Sequence, residues 1–387
     1  MKQGWEYKKL GEVCEVVSGS TPKTNVPEYW GEGHYWVTPA ELNDTIVYID
    51  KTERQITDEA LTKTKLRLLP VGTVLLSSRA PIGKVAITKT EMYCNQGFKN
   101  CICSDSIYNK YLFYFLRLKK EYLNSLGRGA TFKEISKSIV ESITIPLPPK
   151  STQLSIVSEL DKINELIRLK QEQLKDYDNL AQSIFYEMFG DPVENEKGWE
   201  VKKIGEIGSV ERGAGISKKD FVEDGLPCIH YGQLHTILGA RTKKHYTSIP
   251  HDLLPKYKVA HTGDLVMAIT SEDVEGSCKS TAWLGNYDVI VGSDAAILHH
   301  EQDGTFLSYY TMTKAFYNEK AKYAKGFKVT HISTKEIEKI SVFLPPLPLQ
   351  HLFAQRIEQI ERQKSSVQKS ITDLETLLAS RMQYWFE

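Results

Sequence analysis

The sequence predicts an α+β fold with two tandem domains of mixed α/β structure, joined by two long helices that pair as an antiparallel coiled coil with pseudo-two-fold symmetry. Two repeated segments support this prediction. Residues 4–12 recur at 198–206, and residues 135–149 recur at 332–346 with the same leucine-proline-proline ending. Self-similarity on this scale indicates two copies of one structural unit. A pseudosymmetric pair of units suits a target that has two separated halves.

The repeat divides the 387-residue chain into four parts. We assign the first domain to residues 1–150, a central spacer helix to 151–189, a linker with the second domain to 190–346, and a C-terminal spacer helix to 347–387. Each domain is long enough to bury a core of its own.

Within each domain, short apolar runs bounded by turn residues predict strands, and longer runs with helical spacing predict a helix. The first domain has predicted strands at 71–76, 83–87 and 143–147, with a helix at 111–126. The second domain repeats the order, with a strand at 263–267 and a helix at 305–322.

Both long helices carry apolar residues at alternating steps of three and four, which is the seam of a coiled coil. One lysine, Lys170 or Lys364, interrupts each seam and would fix its register at a cost in stability. The other seam residues are Leu160, Ile163, Ile167 and Leu174 in the first helix and Ile357, Ile360, Val367 and Ile371 in the second.

The alternative is that each helix packs only on its own domain. We favour pairing, because a rod of about 55 Å at 1.5 Å per residue is too long for one domain to cover. Antiparallel pairing also delivers the chain from the end of the first helix to the second domain. The prediction is two heads on a spacer that spans roughly 15 base pairs of DNA.

The composition is that of a water-soluble globular protein. No run of about 18 apolar residues is present, and residues 1–5 lack the apolar core of a signal peptide. We therefore expect a cytoplasmic protein that binds no membrane. The six cysteines form no disulfide or metal-binding pattern, so we expect reduced thiols and no metal.

Charge is distributed unevenly although the formal net charge is zero. Residues 1–150 hold 21 basic and 16 acidic side chains, whereas residues 151–197 hold 5 and 10. Residues 198–346 balance at 18 and 18 and contain 8 of the 10 histidines. The basic first domain gives weak support for a polyanionic partner.

Several motifs, in order and duplicated, make the chain similar to the specificity subunit of type I restriction–modification systems, and the resemblance covers the whole sequence. The motifs are Gly4-Trp5-Glu6, Lys9-Leu10-Gly11-Glu12, Ser18-Gly19-Ser20-Thr21-Pro22, Leu147-Pro148-Pro149 with Gln153, Met188-Phe189-Gly190-Asp191-Pro192, Lys197-Gly198-Trp199, and Leu344-Pro345-Pro346 with Gln350.

This resemblance implies two target-recognition domains, each contacting one half of a bipartite site in double-stranded DNA. It implies paired helices that set the gap and dock two methyltransferase subunits, with restriction (translocase) subunits joining them. It also implies a chain without catalytic activity or cofactor, with S-adenosylmethionine and ATP on the partners. Because Ser18-Gly19-Ser20-Thr21-Pro22 becomes Arg212-Gly213-Ala214-Gly215-Ile216 in the second copy, we expect different half-sites and an asymmetric target.

The alternative is that the chain is itself an enzyme, which would require catalytic motifs. The Asn/Asp-Pro-Pro-Tyr/Phe tetrapeptide of adenine methyltransferases is missing, since Pro148-Pro149 follows a leucine, and Gly83-Lys84 lacks the upstream glycine of a phosphate loop. Asp273, Glu275 and Lys279 are a weak nuclease candidate. A reader fused to its own nuclease or methyltransferase, or a two-headed protein scaffold, are therefore the less favoured hypotheses.

Candidate DNA contacts are polar and basic residues in predicted loops, where hydroxyls and cations suit phosphates and amides suit base edges. The segments 127–133 and 325–331 are both glycine-hinged and basic at matched positions. For each candidate the plainer alternative is a solvated turn or strand edge, and for His230 a core histidine. The candidates are Ser20, Thr21, Lys23, Thr38, Arg79, Lys84, Asn95, Gln96, Lys99, Arg128, Thr131, Lys133, Arg212, His230, Tyr231, Gln233, Lys279, Lys325, Lys328 and Thr330.

Overall fold

A computed structural model describes residues 4–79, 81–129, 133–216, 218–251, 257–326 and 329–387, with only the backbone of Lys218. The chain divides into two compact units. Unit 1 comprises Met1–Gln171 and Lys369–Glu387, and unit 2 comprises Glu172–Gln368. Each unit therefore holds one globular domain and a part of both long helices, so the middle of each spacer helix marks the boundary.

Unit 1 is built on short strands with turn residues between them. The strands are β1 Glu6–Lys9, β2 Cys14–Ser18, β3 Trp30–Val37, β4 Tyr48–Ile49, β5 Gln55–Ile56, β6 Val74–Leu76, β7 Val85–Thr88, β8 Tyr93–Cys94, β9 Lys99–Cys103 and β10 Thr144–Leu147. They form a five-stranded sheet in the order β2-β9-β6-β7-β4, a three-stranded sheet β5-β3-β8 and the pair β1-β10.

The helices of unit 1 are α1 Leu10–Val13, α2 Asp58–Lys63, α3 Asn109–Leu118, α4 Lys120–Leu126, α5 Lys137–Ser142 and the first part of α6 Lys150–Phe189. Of these, α1, α3 and α5 pack on the five-stranded sheet, α2 packs beside the three-stranded sheet, and α6 begins the spacer. Short 3-10 turns lie at Pro27–Tyr29 and Pro39–Glu41. The core joins the inner face of the sheet to α3, whose residues 111–116 are all buried.

Unit 2 repeats the arrangement with several additions. Its strands are β11 Glu200–Lys203, β12 Gly208–Arg212, β13 Leu226–Ile229, β14 Arg241–Thr242, β15 Thr247–Ile249, β16 Lys258–Ala260, β17 Leu265–Ala268, β18 Thr270–Ser271, β19 Ser280–Trp283, β20 Val289–Val291, β21 Ala295–His300, β22 Thr330–His331 and β23 Ser341–Leu344. Its helices are α7 Ile204–Ile207, α8 Tyr231–Thr236, α9 Gly304–Tyr310, α10 Lys314–Ala321, α11 Thr334–Ile337 and α12 Leu347–Phe386, with a 3-10 turn at Lys218–Asp220.

The two units share one topology. The order β12-β21-β17-β19-β14 in unit 2 matches β2-β9-β6-β7-β4 in unit 1, and the pair β11-β23 matches β1-β10. The registers of the pairs also agree, since Glu6 lies opposite Leu147 and Glu200 lies opposite Leu344. The duplicated fold predicted from the repeated segments is confirmed.

The predicted strands are present with shifted ends, but each predicted domain helix is two helices. The helix predicted at 111–126 breaks at Lys119, where φ is −84° and ψ is 13°. The helix predicted at 305–322 breaks before Thr313, whose hydroxyl accepts a hydrogen bond from Phe316 N–H at 3.3 Å and starts α10. A threonine cap competes with a continuous helix at such a position.

A buried glutamine joins each domain to its spacer helix. The Gln153 side chain accepts from Tyr108 N–H (2.7 Å) and donates to the carbonyls of Ser106 and Pro148 (2.9 Å each). Both Gln153 and its counterpart in unit 2 are fully buried. The backbone between the last strand and the spacer helix is thus closed by a side chain.

Gln350 makes the same kind of junction in unit 2. It accepts from Asp303 N–H (3.0 Å) and donates to the Pro345 carbonyl (2.8 Å). The two glutamines follow their leucine-proline-proline motifs at the same distance. Their matching contacts explain why proline can end the strand without leaving buried carbonyls unpaired.

The long helices pair in antiparallel order inside each unit. In unit 1 the first half of α6 meets the last part of α12, where Glu159 pairs with Arg381 and accepts from Trp385 Nε1 at 3.0 Å. In unit 2 the last part of α6 meets the first part of α12, where the Phe185 and Phe353 rings lie 5.5 Å apart. Pairing of the two helices, predicted from the seam, is confirmed.

The seam residues are buried along most of the helices. Leu160, Ile163 and Ile167 of α6 are buried, as are Ile357, Ile360, Val367 and Ile371 of α12, whereas Leu174, Lys170 and Lys364 are half-buried. The Lys364 ammonium donates to Asp178 on the opposite helix (2.7 Å) and to Glu361 on its own (3.1 Å). This lysine therefore pairs specific positions of the two helices, as expected of a register device.

All six cysteines are free thiols. Burial raises the pKa of Cys94 and of Cys278 to about 12, so both stay protonated at neutral pH. Cys14 and Cys103 lie opposite each other on β2 and β9 with their Sγ atoms 4.0 Å apart. These are core thiols of low reactivity.

Candidate nucleic-acid interface

Several loops of unit 1 meet beyond the ends of β2, β6 and β9. Gly19 N–H donates to the Phe98 carbonyl (3.2 Å), and Ser78 N–H donates to the Gly97 carbonyl (2.7 Å), which ties three loops together. We call the result the unit 1 loop surface and define it as Thr38 with the described residues of 19–23, 77–84, 95–99 and 127–134. The structure thus brings the described candidates of the first domain together, either on this surface or directly beneath it.

Two indole groups fix the loop that holds Ser20, Thr21 and Lys23. Trp36 Nε1 donates to the Ser20 carbonyl (3.1 Å), and Trp30 Nε1 donates to the Lys23 carbonyl (3.2 Å). The Ser20 and Lys23 side chains are exposed, so both are open to a ligand. No local sequence pattern predicts the role of the two tryptophans, because they donate to backbone carbonyls of another segment.

Asn95 and Thr21 hold each other, whereas Gln96 is exposed. Asn95 Nδ2 donates to Thr21 Oγ1 (2.9 Å), and Asn95 Oδ1 accepts from Gly97 N–H (2.8 Å). The Thr21 hydroxyl also accepts from Gln96 N–H at 3.4 Å. Asn95 and Thr21 therefore shape the loop, and the Gln96 amide is the better placed of the two amides for a base edge.

Thr38 and Lys84 also have internal partners. The Thr38 hydroxyl donates to Glu41 Oε2 (2.9 Å) and caps the short Pro39–Glu41 turn. Lys84 is half-buried, and its ammonium donates to the Pro39 carbonyl (2.9 Å). The polar groups of Thr38 and Lys84 therefore stabilise the loops from within, and we do not assign either residue to DNA contact.

Lys99 is buried and paired. Its ammonium lies 3.1 Å from Glu134 Oε1 and 3.5 Å from Ser78 Oγ. Only 8% of Lys99 is exposed, which places it beneath the loop surface. We therefore assign it an internal role. Glu134 was missed from sequence because its partner lies 35 residues away.

The basic loop after α4 is closed by two backbone hydrogen bonds. Arg128 N–H donates to the Glu134 carbonyl (3.0 Å), and Glu134 N–H donates to the Arg128 carbonyl (2.9 Å). Arg128 and Lys133 are exposed cations on this loop. Thr131, the third candidate there, lies outside the described residues.

Unit 2 closes the corresponding loop in the same way. Lys325 N–H donates to the His331 carbonyl (3.1 Å), and His331 N–H donates back to the Lys325 carbonyl (2.8 Å). The two loops were predicted to occupy matched positions of the repeat, and they make the same pair of backbone hydrogen bonds. Lys325 is exposed and pairs with Glu336 (3.2 Å), while Lys328 lies outside the described residues.

Backbone hydrogen bonds align the other loops as well. Gly213 N–H donates to the Ala295 carbonyl (2.9 Å), as Gly19 does to Phe98 in unit 1. Gly292 N–H donates to the carbonyl of the last residue of β13. In unit 1, Asn95 N–H donates to the carbonyl of the last residue of β3 in the same way. Asn95 therefore corresponds to Gly292 in the matched loops.

Of the unit 2 candidates, Arg212 and Tyr231 are exposed. Arg212 Nε donates to the Ser293 carbonyl (2.7 Å), and its Nη2 lies 3.8 Å from Asp294. These contacts fix the guanidinium against the loop that follows β20. Arg212 thus combines a fixed position with access to solvent.

Gln233 and Thr330 are buried, with 3% and 4% of their surfaces exposed. Gln233 Oε1 accepts from His230 N–H (3.1 Å), and its Nε2 donates to Thr247 Oγ1 (3.2 Å). Gln233 therefore caps α8, and Thr330 belongs to β22. His230 is half-buried at the same cap.

An open cavity of about 1280 Å³ lies beside these loops within unit 2, with Tyr231, His235, Thr270, Lys279 and Tyr317 in its lining. The hairpin 271–279 forms one wall and carries Lys279, whose ammonium donates to the His235 carbonyl (3.1 Å). The matching hairpin of unit 1 is four residues shorter, since Ser77 bonds to Lys84 whereas Ala268 bonds to Lys279.

A buried lysine holds the longer hairpin. Lys320 is 4% exposed, and its ammonium donates to the Glu275 carbonyl (2.7 Å) and the Ser277 carbonyl. Burial lowers the pKa of Lys320, with nearby carboxylates opposing the shift. Asp273 Oδ1 accepts from Gly276 N–H (2.7 Å), a turn contact rather than a catalytic arrangement.

Within the described ranges, no cluster of three or more histidine, cysteine or acidic side chains has the geometry to hold a metal ion. No helix in the described part of the chain is long and apolar enough to cross a bilayer.

Comparison with known proteins agrees with the duplicated fold. The model of the type I restriction modification DNA specificity domain matches residues 2–176 and again 196–376. The MjaIX specificity subunit of Methanocaldococcus jannaschii is 29% identical over 400 residues, covering 96% of this chain and 90% of its own. The MjaVIII specificity subunit of the same organism is 26% identical, covering 97% and 92%.

One solved structure comes from work on complex assembly and conformational transition of the type I R-M system. Its chain is similar to this one with a TM-score of 0.65 at 20% sequence identity. It covers 99% of this chain, and 97% of its own chain is covered. That likeness supports the fold. Two matches of the family model, which together take in most of the chain, establish that this protein belongs to the type I restriction–modification DNA specificity family.

Proposed function

We propose that the chain is the non-catalytic specificity subunit of a type I restriction–modification complex and recognises a bipartite, asymmetric site in double-stranded DNA. Unit 1 contacts one half of the site and unit 2 the other. The observation that carries this proposal is the pair of loop surfaces, that of unit 1 and its counterpart in unit 2, which comprises His230 with the described residues of 213–217, 268–279, 292–296 and 324–331. Their backbones are held by matching hydrogen bonds, while their side chains differ.

The difference between the two surfaces supports an asymmetric target. Ser20 corresponds to Ala214, since their N–H groups bond to the carbonyls of Cys94 and Val291 (2.9 and 3.0 Å). Base edges are distinguished by their donors and acceptors, so two sets of side chains on one backbone select two different sequences. The exposed cations Lys23, Arg128 and Lys133 suit phosphates, which position the protein without specifying bases.

The paired helices α6 and α12 are the proposed spacer and docking site for two methyltransferase subunits, with restriction subunits added to that assembly. Leu166, Leu169 and Leu180 of α6 are 46–48% exposed, which leaves apolar surface on the helix. Methyl transfer from S-adenosylmethionine and any ATP-driven step would belong to the partner subunits. We place the complex in the cytoplasm, where its DNA target is accessible.

The test is selection from a DNA library with two randomised segments separated by spacers of varied length, using the chain with and without its methyltransferase subunits. We expect enrichment of two different half-sites at one preferred spacing, strongest in the assembled complex. Enrichment of no split motif in either arm contradicts the proposal. Mapping methylated bases in cells that carry or lack the chain provides an independent readout.

A further inference from the structure

The Arg79 guanidinium is a cation of the unit 1 loop surface that lies next to the loop carrying Asn95 and Gln96. Among the residues that the structure describes, it has no hydrogen-bond or ion-pair partner. Arg79 forms a backbone bridge with Glu134, and the adjacent Ser78 accepts from Ile135 N–H (3.0 Å) and donates to the Gly97 carbonyl (2.7 Å). Neighbouring segments therefore hold the main chain at Ser78, directly before Arg79.

The stem of Arg79 lies against Gly97. A Cβ atom placed on Gly97 would be 3.4 Å from Arg79 Cγ and 3.0 Å from Asn95 Oδ1. The absence of a side chain at position 97 thus leaves room for the arginine to pack on the loop that carries Asn95 and Gln96. A side chain held along its stem loses less entropy when its end group binds a ligand.

The carboxylate that shares a backbone bridge with Arg79 is already paired with another cation. Glu134 shares the bridge with Arg79, but its Oε1 pairs with the buried Lys99 ammonium at 3.1 Å. A buried lysine that takes up the carboxylate leaves the guanidinium available to a ligand. The three residues act as a set in which Lys99 and Glu134 balance each other beneath the surface.

Unit 2 has no arginine, lysine or carboxylate at the same backbone positions. Thr270 forms the bridge that Arg79 forms, with His331 in place of Glu134. Ala296 occupies the position of Lys99, because Ala295 corresponds to Phe98 and each is followed by the residue in question. Thr270 Oγ1 lies 3.3 Å from His331 Nδ1, so the threonine hydroxyl and the imidazole bond to each other.

We propose that Arg79 recognises the major-groove edge of a guanine in the half-site contacted by unit 1, and that unit 2 has no such requirement at the matched position. This inference rests on the function proposed above. A guanidinium donates two parallel hydrogen bonds to guanine O6 and N7, which is the commonest specific contact of a protein with a base. Arg128 and Lys133, on an exposed loop, contact phosphates instead.

The experiment uses the full chain assembled with its methyltransferase subunits and the split site found by selection. Each guanine of both half-sites is replaced in turn by 7-deazaguanine, which lacks N7, or by inosine, which keeps O6 and N7. The variants are Arg79→Ala, Arg79→Lys and the control Lys133→Ala. Lysine keeps the charge but not the planar fork of donors.

In the wild-type complex, 7-deazaguanine at one position of one half-site should weaken binding about 10- to 100-fold, with little effect of inosine there. Both Arg79 variants should remove the preference for that base and leave the other positions and the other half-site unchanged. Lys133→Ala should weaken binding to all sequences alike and reduce its salt dependence.

The inference fails if either Arg79 variant keeps the full preference at every base of the site, or if no guanine in either half-site responds to 7-deazaguanine. Uniform weakening by both Arg79 variants, with the base preferences unchanged, would make Arg79 a phosphate contact and also overturn the inference. Each of these outcomes leaves a split motif selected by the wild-type complex. Failure of the proposed function is a separate result, in which the wild type selects no split motif.

Discussion

The buried glutamine at the start of α6 allows a sharp test of how each domain is joined to its spacer. We predict that Gln153→Leu destabilises unit 1 by about 3 kcal/mol. Leucine fills a similar volume but offers no polar atom. The substitution therefore leaves Tyr108 N–H and the carbonyls of Ser106 and Pro148 without the partners seen in the structure.

The magnitude follows from the three lost contacts. A buried polar group left unpaired costs roughly 1–3 kcal/mol, and a half-buried one costs less because water reaches it. The Gln153–Pro148 bond is fully buried, whereas the bonds to Tyr108 and Ser106 are partly buried. One full penalty and two reduced ones give a total of about 3 kcal/mol.

Native-state hydrogen exchange followed by mass spectrometry is the appropriate assay, because it reports the two units separately and does not assume two-state unfolding of the whole chain. Gln153→Leu should lower the opening free energy of strands β6 and β9, with little change in β17 and β21. Gln350→Leu should show the opposite pattern. A loss below about 1 kcal/mol for Gln153→Leu, or equal losses in both units, would refute the reasoning.

Three further predictions follow from other contacts. Lys320→Leu should raise hydrogen exchange in the hairpin 271–279 at least about tenfold, because the carbonyls of Glu275 and Ser277 lose their donor, while the sheet stays protected. Insertion of seven residues at matched positions of α6 and α12 adds about 10 Å of helix. It should lengthen the tolerated spacing between the two half-sites by about three base pairs. A selection experiment that returns altered half-site sequences would contradict the role of the paired helices as a spacer. Donors on Ser333 and the ammonium of Lys325 lower the pKa of Glu336 to about 2. The stabilisation from Glu336 should therefore be present above its unfolded pKa near 4.5 and be lost as the pH falls from there towards 2. Glu336→Gln should be less stable than wild type at pH 7 and equally stable near pH 2, as measured by protection of unit 2.

The features that could be predicted from sequence are those with a period or a repeat. The seam of α6 and α12 was visible because the steps of three and four persist over many turns. The two junctions were visible because leucine-proline-proline and the following glutamine occur twice. The function of Gln153, however, depends on backbone groups 45 and 47 residues away, and no local pattern reveals that contact.

The candidate interface was only partly predictable, for the same physical reason. Loop composition selected Arg79, Gln96 and Arg128, which the structure places on one surface. It also selected Lys99 and Gln233, which are buried in internal contacts. A lysine on a strand and a glutamine after a turn look alike in sequence whether they face solvent or a partner across the sheet, because burial is decided by tertiary packing.

The two loop surfaces show how one fold can hold two different specificities. The bonds from Gly19 to Phe98 and from Gly213 to Ala295 join main-chain atoms and are indifferent to most side chains. The same holds for the pairs that close the loops at Arg128 and Lys325. Side chains on such a backbone can change without loss of these hydrogen bonds, provided that internal pairs such as Lys99 with Glu134 change together. Each half-site should therefore depend on residues of its own unit, and a substitution on one loop surface should leave recognition by the other intact.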